Sequence, residues 1–205
     1  MDMYTLTETE FHLEAEPCLR KIFVNDNPFD HPFSSRVTAR KIIYPCSNYV
    51  DQPLIDAVIA AASKIGDIGC YISLIWSNPD SPVHAYVPLS EFLEAYTGPP
   101  GPQRIEVKLN MDIISENIIY SDTGRWGIML SHECNGLLGG TPEFMEEVQA
   151  AIPDLDLQVY GFLRRLQGFK SDRPLFVTLD WLPGLLSHVY GSKIAEKLLQ
   201  ETGLP

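Results

Sequence analysis

The chain has 205 residues, a length that suits one sizeable core, and we expect a single α+β domain over residues 1–205. Its 45% hydrophobic and 20% charged residues exclude a largely disordered chain. The net charge of −12 opposes binding to nucleic-acid phosphates, which requires lysine and arginine, and no apolar run is long enough for a membrane span.

The N-terminal stretch and the cysteines bear on the compartment. Residues 1–16 carry five acidic residues and no lysine or arginine, the reverse of the basic start of a signal peptide, so we expect a cytoplasmic protein. Cys18, Cys46, Cys70 and Cys134 are far apart and form no CxxC pair. Neither a zinc ribbon nor a redox pair is indicated, so we expect reduced structural thiols, no metal and no cofactor.

The N-terminal half alternates short apolar runs with turn-forming residues. The runs "RKIFVND" and "ARKIIYP" predict strands. Asp51 is placed to cap a helix with Pro53 in its first turn, and "GCYISLIW" then predicts a buried strand. "VHAYVP" follows, and Ser90 is placed to cap a short helix over "EFLEAY".

The central region predicts antiparallel strands. After the loop-like "TGPPGPQ", the run "RIEVKLNMDI" alternates apolar and polar residues as a half-buried strand does. "ENIIY", "RWGIML" and "LLGG" predict a β-meander, with Trp126, Ile128 and Leu130 on one face and a turn at Asn135-Gly136. Gly139-Gly140 would let the last strand turn tightly into its helix.

The C-terminal part is predicted to be mainly helical. Thr141 caps one helix with Pro142 at its first position, and "LDLQVYGFLRRLQGF" and "SKIAEKLLQETG" predict two more, the last of them stopped by Gly203. "RPLFVTLDWLP" between them predicts a strand. The fold class is therefore α+β, with a mostly antiparallel sheet and a central β-meander covered by helices concentrated in the C-terminal part.

Catalytic motifs are incomplete in this sequence. His132 and Glu133 begin an HExxH zinc motif, but Gly136 stands where its second histidine belongs. Gly139-Gly140 precedes a helix without the P-loop lysine, and Glu143 would repel an anion there. A hydrolase that uses Cys134 or His132 with a distant partner stays open, as does a non-catalytic homo-oligomeric adaptor; the oligomeric state is not indicated.

The acidic residues are unevenly distributed. Residues 112–160 contain nine acidic residues and one base, Arg125, and hold −8 of the net charge of −12. On the helix after Thr141, Phe144, Val148 and Ile152 are predicted to face the core and the carboxylates to face solvent. Such a patch favours a basic protein partner. The candidate partner-binding residues are Glu143, Glu146 and Glu147, with Asp122 and Glu133 in the adjoining turns.

The passage "IIYSDTGRWGIMLSHECNGLLGGTPEFMEE" resembles bacterial immunity proteins that neutralise polymorphic or contact-dependent toxins. The resemblance lies in a strand, a glycine turn, a Trp-Gly strand and a Gly-Gly step into a helix, and it covers about residues 115–150. It implies a cytosolic, acidic, non-enzymatic protein that binds a toxin domain, often a basic nuclease, and occludes its active site. It supplies no catalytic residue.

Overall fold

The computed structural model describes residues 2–46, 50–75, 83–96, 116–133, 135–172 and 178–205, with residues 93–96 described as backbone. Within these residues, seven strands form one sheet in the order β1-β4-β3-β5-β6-β7-β2, and every described pairing is antiparallel. The strands are β1 (Tyr4–Thr5), β2 (Ala39–Ile43), β3 (Gly69–Leu74), β4 (His84–Pro88), β5 (Asn117–Ser121), β6 (Trp126–Leu130) and β7 (Gly136–Gly140).

Helices cover both faces of this sheet. A continuous helical segment near the N-terminus comprises α1 (Glu8–Glu10), a π-helical turn (Phe11–Ala15) and α2 (Glu16–Ile22). The other helices are α3 (Gln52–Lys64), α4 (Leu89–Tyr96), α5 (Pro142–Ala151), α6 (Gln158–Asp172), α7 (Leu182–Tyr190) and α8 (Ser192–Thr202), with a 3₁₀ turn at Leu155–Leu157. None in the described part of the chain is long and apolar enough to cross a membrane.

Two cores lie on opposite faces of the sheet. One face, with Trp126 and Ile128, packs against α3, α4 and α5, which we call the α5 layer. The other, with Tyr120 and Met129, packs against α2, α6, α7 and α8, which we call the α8 layer. The alternation of side chains along a strand sends neighbouring residues into different cores. Because both faces are covered, β5, β6 and β7 are buried throughout.

The structure confirms the predicted fold class and its central meander. β5, β6 and β7 pair in chain order, and Trp126, Ile128 and Leu130 share the α5-layer face as predicted. α3 begins directly after Asp51, although the Asp51 side chain makes no capping bond. The Thr141 hydroxyl caps α5, accepting from the Phe144 N–H at 3.4 Å.

The first predicted strand, "RKIFVND", is wrong. A capping box at Thr7 and Glu10 starts a helical segment that continues through Arg20 to Ile22, with Leu19 and Ile22 buried. Only Phe23 then makes an isolated bridge, to Phe33. The helical spacing of the apolar residues upstream outweighs the β-branched character of the run.

Three smaller predictions also differ from the structure. Ser90 lies inside α4, which starts at Leu89 directly after β4. Gly136 is already paired with Ile43 and Leu130 in the sheet, so the β6–β7 turn precedes it. The strand predicted over "RPLFVTLDWLP" is absent at residues 178–181, which lead directly into α7 at Leu182. Residues 173–177 of that run lie outside the described residues, as do the whole of "TGPPGPQ" and "RIEVKLNMDI".

Candidate partner-binding surface

Helix α5 is held rigidly by its buried side. The Thr141 N–H donates to the Arg125 carbonyl oxygen at 2.9 Å, which ties the start of the helix to the start of β6. The Phe144 ring stacks on Trp126 with centroids 5.3 Å apart, and Val148 is fully buried one turn later. The opposite side of α5 is thereby fixed toward solvent.

The paired glycines before α5 permit close packing on both faces of the sheet. A Cβ on Gly139 would lie 2.5 Å from the Phe33 ring, and one on Gly140 would lie 2.8 Å from the Phe144 ring. Both residues belong to β7 and neither has a positive φ. β7 does pass into α5 through Thr141 alone, as predicted, but the glycines serve this step by their small size, which brings Phe33 and Phe144 against the strand.

The carboxylates of α5 fall into two classes. Glu143 and Glu146 are exposed, and within the part of the chain that the structure describes neither has an ion-pair partner. Glu147 is half-exposed and forms an ion pair with Lys64 of α3. Together these three residues form what we call the α5 acidic face, and its open charges are Glu143 and Glu146.

Asp122 follows β5 and lies at the same end of the strands as Thr141, which follows β7. Its carboxylate is not freely exposed to solvent. Its backbone carbonyl accepts from the Cys18 thiol at 3.1 Å, on the α8-layer side. One carboxylate oxygen is buried without a hydrogen bond. Burial, followed by the nearby Asp67 carboxylate, raises the pKa of Asp122. Asp122 is therefore a packed residue, and no contact joins it to the α5 acidic face among the described residues.

Glu133 lies at the other end of β7 from Thr141. It is 3.6 Å from the His132 imidazole, which also contacts Glu116 at 2.5 Å. The His132 ring meets the edge of Phe29, which packs on Trp181 next to α7. The structure thus places Glu133 with residues of the α8-layer side and does not bring it to Glu143.

A buried carboxylate that the sequence did not single out, Asp67, engages the one base of residues 112–160. The Asp67 carboxylate is fully buried and accepts from the Ser121 hydroxyl at 2.9 Å, the Thr123 hydroxyl at 2.7 Å and the Trp126 indole N–H at 2.8 Å. It also accepts from the Arg125 guanidinium at 2.5 Å. The one base of residues 112–160 is therefore engaged away from α5. No sequence motif marks Asp67, because its partners come from a distant hairpin.

The three cysteines that the structure describes are not exposed nucleophiles. Cys18, Cys46 and Cys70 are buried, and burial raises the pKa of the Cys18 and Cys70 thiols. Cys134 lies outside the described residues. No group of three or more histidine, cysteine or acidic side chains within the described ranges could hold a metal ion.

A buried serine–histidine contact is present but closed. The Ser73 hydroxyl is hydrogen-bonded to His84 Nδ1 at 2.8 Å and to the Tyr120 hydroxyl at 3.0 Å. Ser73 is only 4% exposed, and the Phe11 ring stacks on the His84 imidazole at 3.5 Å. These contacts pack the π-helical turn onto β3 and β4, and they leave no room for a substrate at the hydroxyl.

In comparisons with family models, curated proteins and solved structures, none matches this chain.

Proposed function

We propose that this protein is a non-enzymatic binding protein that engages a cationic protein partner through the α5 acidic face. The resemblance of residues 115–150 to immunity proteins makes the proposal more specific. The partner is a toxin domain whose active site is occluded, and the encounter takes place in the cytoplasm.

The observation that carries the proposal is the pair of open carboxylates, Glu143 and Glu146, on a helix fixed by its buried side. Arg125 is engaged by Asp67, so it does not neutralise them. Like charges on neighbouring turns of a helix repel each other and cost a little stability. A cationic partner would relieve that repulsion and gain paired charges in a preorganised geometry.

Electrostatic attraction of this kind acts mainly on the rate of association. A surface of one sign raises the rate constant for an oppositely charged partner by about 10- to 1000-fold at low salt. Salt screens the effect over a distance of roughly 10 Å at 0.1 M ionic strength. Retention of the partner should therefore weaken as salt is raised.

The test is a pull-down with tagged protein from a lysate of the cells that produce it, at low and at moderate salt, with mass spectrometry. The test variant carries Glu143→Lys and Glu146→Lys. The matched control carries Glu14→Lys and Glu196→Lys, which make the same change in net charge at exposed residues of the α8-layer side. We expect wild type and control to retain a basic protein at low salt and the α5 variant to lose it.

Equal retention by the α5 variant and the control would show that net charge, and not this helix, attracts the partner. Retention of acidic or uncharged proteins alone would also contradict the proposal.

A further inference from the structure

An open groove of about 520 Å³ lies between β2 and α5, next to the α5 acidic face. Its apolar lining comes from Ala39 of β2 and from Pro142, Met145 and Ala150 of α5. Ala39 lies on the sheet face that packs against the α5 layer, so the groove opens on the same side of the molecule as Glu146. Apolar surface beside an unpaired carboxylate suits a ligand that has both an apolar part and a positive charge.

The polar rim of this groove carries an excess negative charge. Lys41 of β2 forms an ion pair with Asp156 from the 3₁₀ turn, so these two charges compensate each other. Glu146 and Gln149 line the α5 side, and Glu146 has no counter-ion among the described residues. The groove therefore complements a cation and offers nothing to an anion beyond the already paired Lys41.

An occupant that extended the sheet along the C-terminal part of β2 would have to displace side chains that already accept from it. The Ile42 N–H donates to the Tyr190 hydroxyl at 2.9 Å, and the Tyr44 N–H donates to Gln158 Oε1 at 2.9 Å. These side chains occupy outward-facing donors that an added strand would need. Recognition in the groove is consequently by side chains.

We propose that the groove binds an extended basic segment of the partner. A lysine or arginine lays its methylene stem against Met145 and Ala150 and places its charged end at Glu146. Long basic side chains commonly bury the stem and keep the charge at the rim. This inference rests on the proposed function and specifies which part of the partner meets which part of α5.

The experiment titrates the 205-residue protein with octalysine, a defined cationic probe, and measures binding by isothermal titration calorimetry at low salt. Ala150→Trp fills the groove from an exposed helix position, and Ala151→Trp is the matched control at an exposed residue that does not line it. Burial of about two methylene groups corresponds to roughly a tenfold change in affinity. We expect Ala150→Trp to weaken binding about tenfold and Ala151→Trp to leave it within about twofold.

The methyl NMR signal of Met145 gives a second readout at the groove itself. Octalysine should shift this signal in wild type and not in the Ala150→Trp protein. A shift on raising the protein concentration alone would identify a second copy of the chain as the occupant and overturn the inference.

The outcomes separate this inference from the proposed function. If Glu143→Lys with Glu146→Lys abolishes octalysine binding while Ala150→Trp does not weaken it, the groove is not used and the acidic face still is. If octalysine fails to bind wild type, or binds the double reversal equally well, this inference fails, while retention of a basic protein in the pull-down decides the proposed function separately.

Discussion

At the scale of single residues, the fully buried Asp67 carboxylate links several elements that support α5. Its carboxylate joins the loop before β3 to the β5–β6 turn and to the Trp126 indole. Trp126 in turn supports the Phe144 ring of α5. The position of the α5 acidic face therefore depends on a fully buried residue.

Asp67→Asn should lower the free energy of unfolding by about 2–4 kcal/mol. The change removes the negative charge that pairs with the Arg125 guanidinium. It also replaces one accepting oxygen by an NH₂ group, which faces hydroxyl and N–H donors that then lack an acceptor. Asp154→Asn, at an exposed carboxylate with no ion pair in the described structure, is the control and should stay within about 0.5 kcal/mol. Urea unfolding at pH 7 measures both, and equal values would contradict the role given to Asp67.

Two histidines make stability depend on pH. Burial lowers the pKa of His84 to about 4, and burial followed by the Arg40 charge lowers the pKa of His188 to about 4. Above their ordinary pKa of 6.5 both the folded and the unfolded chain hold them neutral. Below it the unfolded chain binds protons that the folded chain does not, so stability falls as the pH decreases from 6.5 toward 4.

The free energy of unfolding should fall by less than about 1.4 kcal/mol per pH unit for each histidine. Urea unfolding measures the free energy of unfolding at pH 7 and at pH 5. The decrease between the two pH values should be smaller for His188→Gln than for wild type, because one of the two histidines that take up a proton on unfolding is removed. His12 provides a contrast, since its hydrogen bond with Glu16 raises its pKa. Protonation of His12 therefore favours the folded chain, and its contribution to stability is lost as the pH rises. A His188→Gln protein with an unchanged difference between the two pH values would contradict this assignment.

At the scale of elements, the edge strand β2 is protected by side chains from two helices. Its Ile42 N–H is satisfied by Tyr190 of α7, and Ile42 itself is fully buried. Tyr190→Phe leaves that donor without an acceptor and should cost about 1–2 kcal/mol. The same change at Tyr160, whose hydroxyl donates to the exposed Glu201, should cost less than about 0.5 kcal/mol.

Hydrogen exchange distinguishes loss of this bond from a general loss of stability. The Ile42 amide should exchange faster in Tyr190→Phe than the neighbouring protected amides of β7. Uniformly faster exchange across β2 and β7 would mean that Tyr190 acts only through packing.

Elements with a clear period could be predicted from the sequence. The β6 alternation of Trp126, Ile128 and Leu130 and the capped start of α5 are local signals, and the structure confirms both. Residues 20–26 favour a strand when they are considered alone, but the helical spacing of the apolar residues before them makes Arg20 to Ile22 part of a helix. The covering of both sheet faces could not be predicted, since it depends on which helices return to which side.

At the scale of the whole molecule, charge and fold together define the candidate surface. The exposure of Glu143 and Glu146 can be predicted from the sequence, because helical spacing alone separates them from the buried Phe144 and Val148. The sequence does not show that Lys64 pairs with Glu147, or that Asp122 packs beside Cys18. Those outcomes depend on contacts between elements far apart in the chain. That the open pair binds a partner remains a prediction.

The most direct measurement is the association rate constant between this protein and the basic protein it retains, at low and at high ionic strength. It would be compared for wild type, the Glu143→Lys/Glu146→Lys variant and the Glu14→Lys/Glu196→Lys control. We predict a wild-type rate that falls steeply with salt, a rate at least about tenfold slower at low salt for the α5 variant, and a much smaller effect of the control. Equal rates for the two variants at low salt would contradict the claim that α5 guides the partner to this surface.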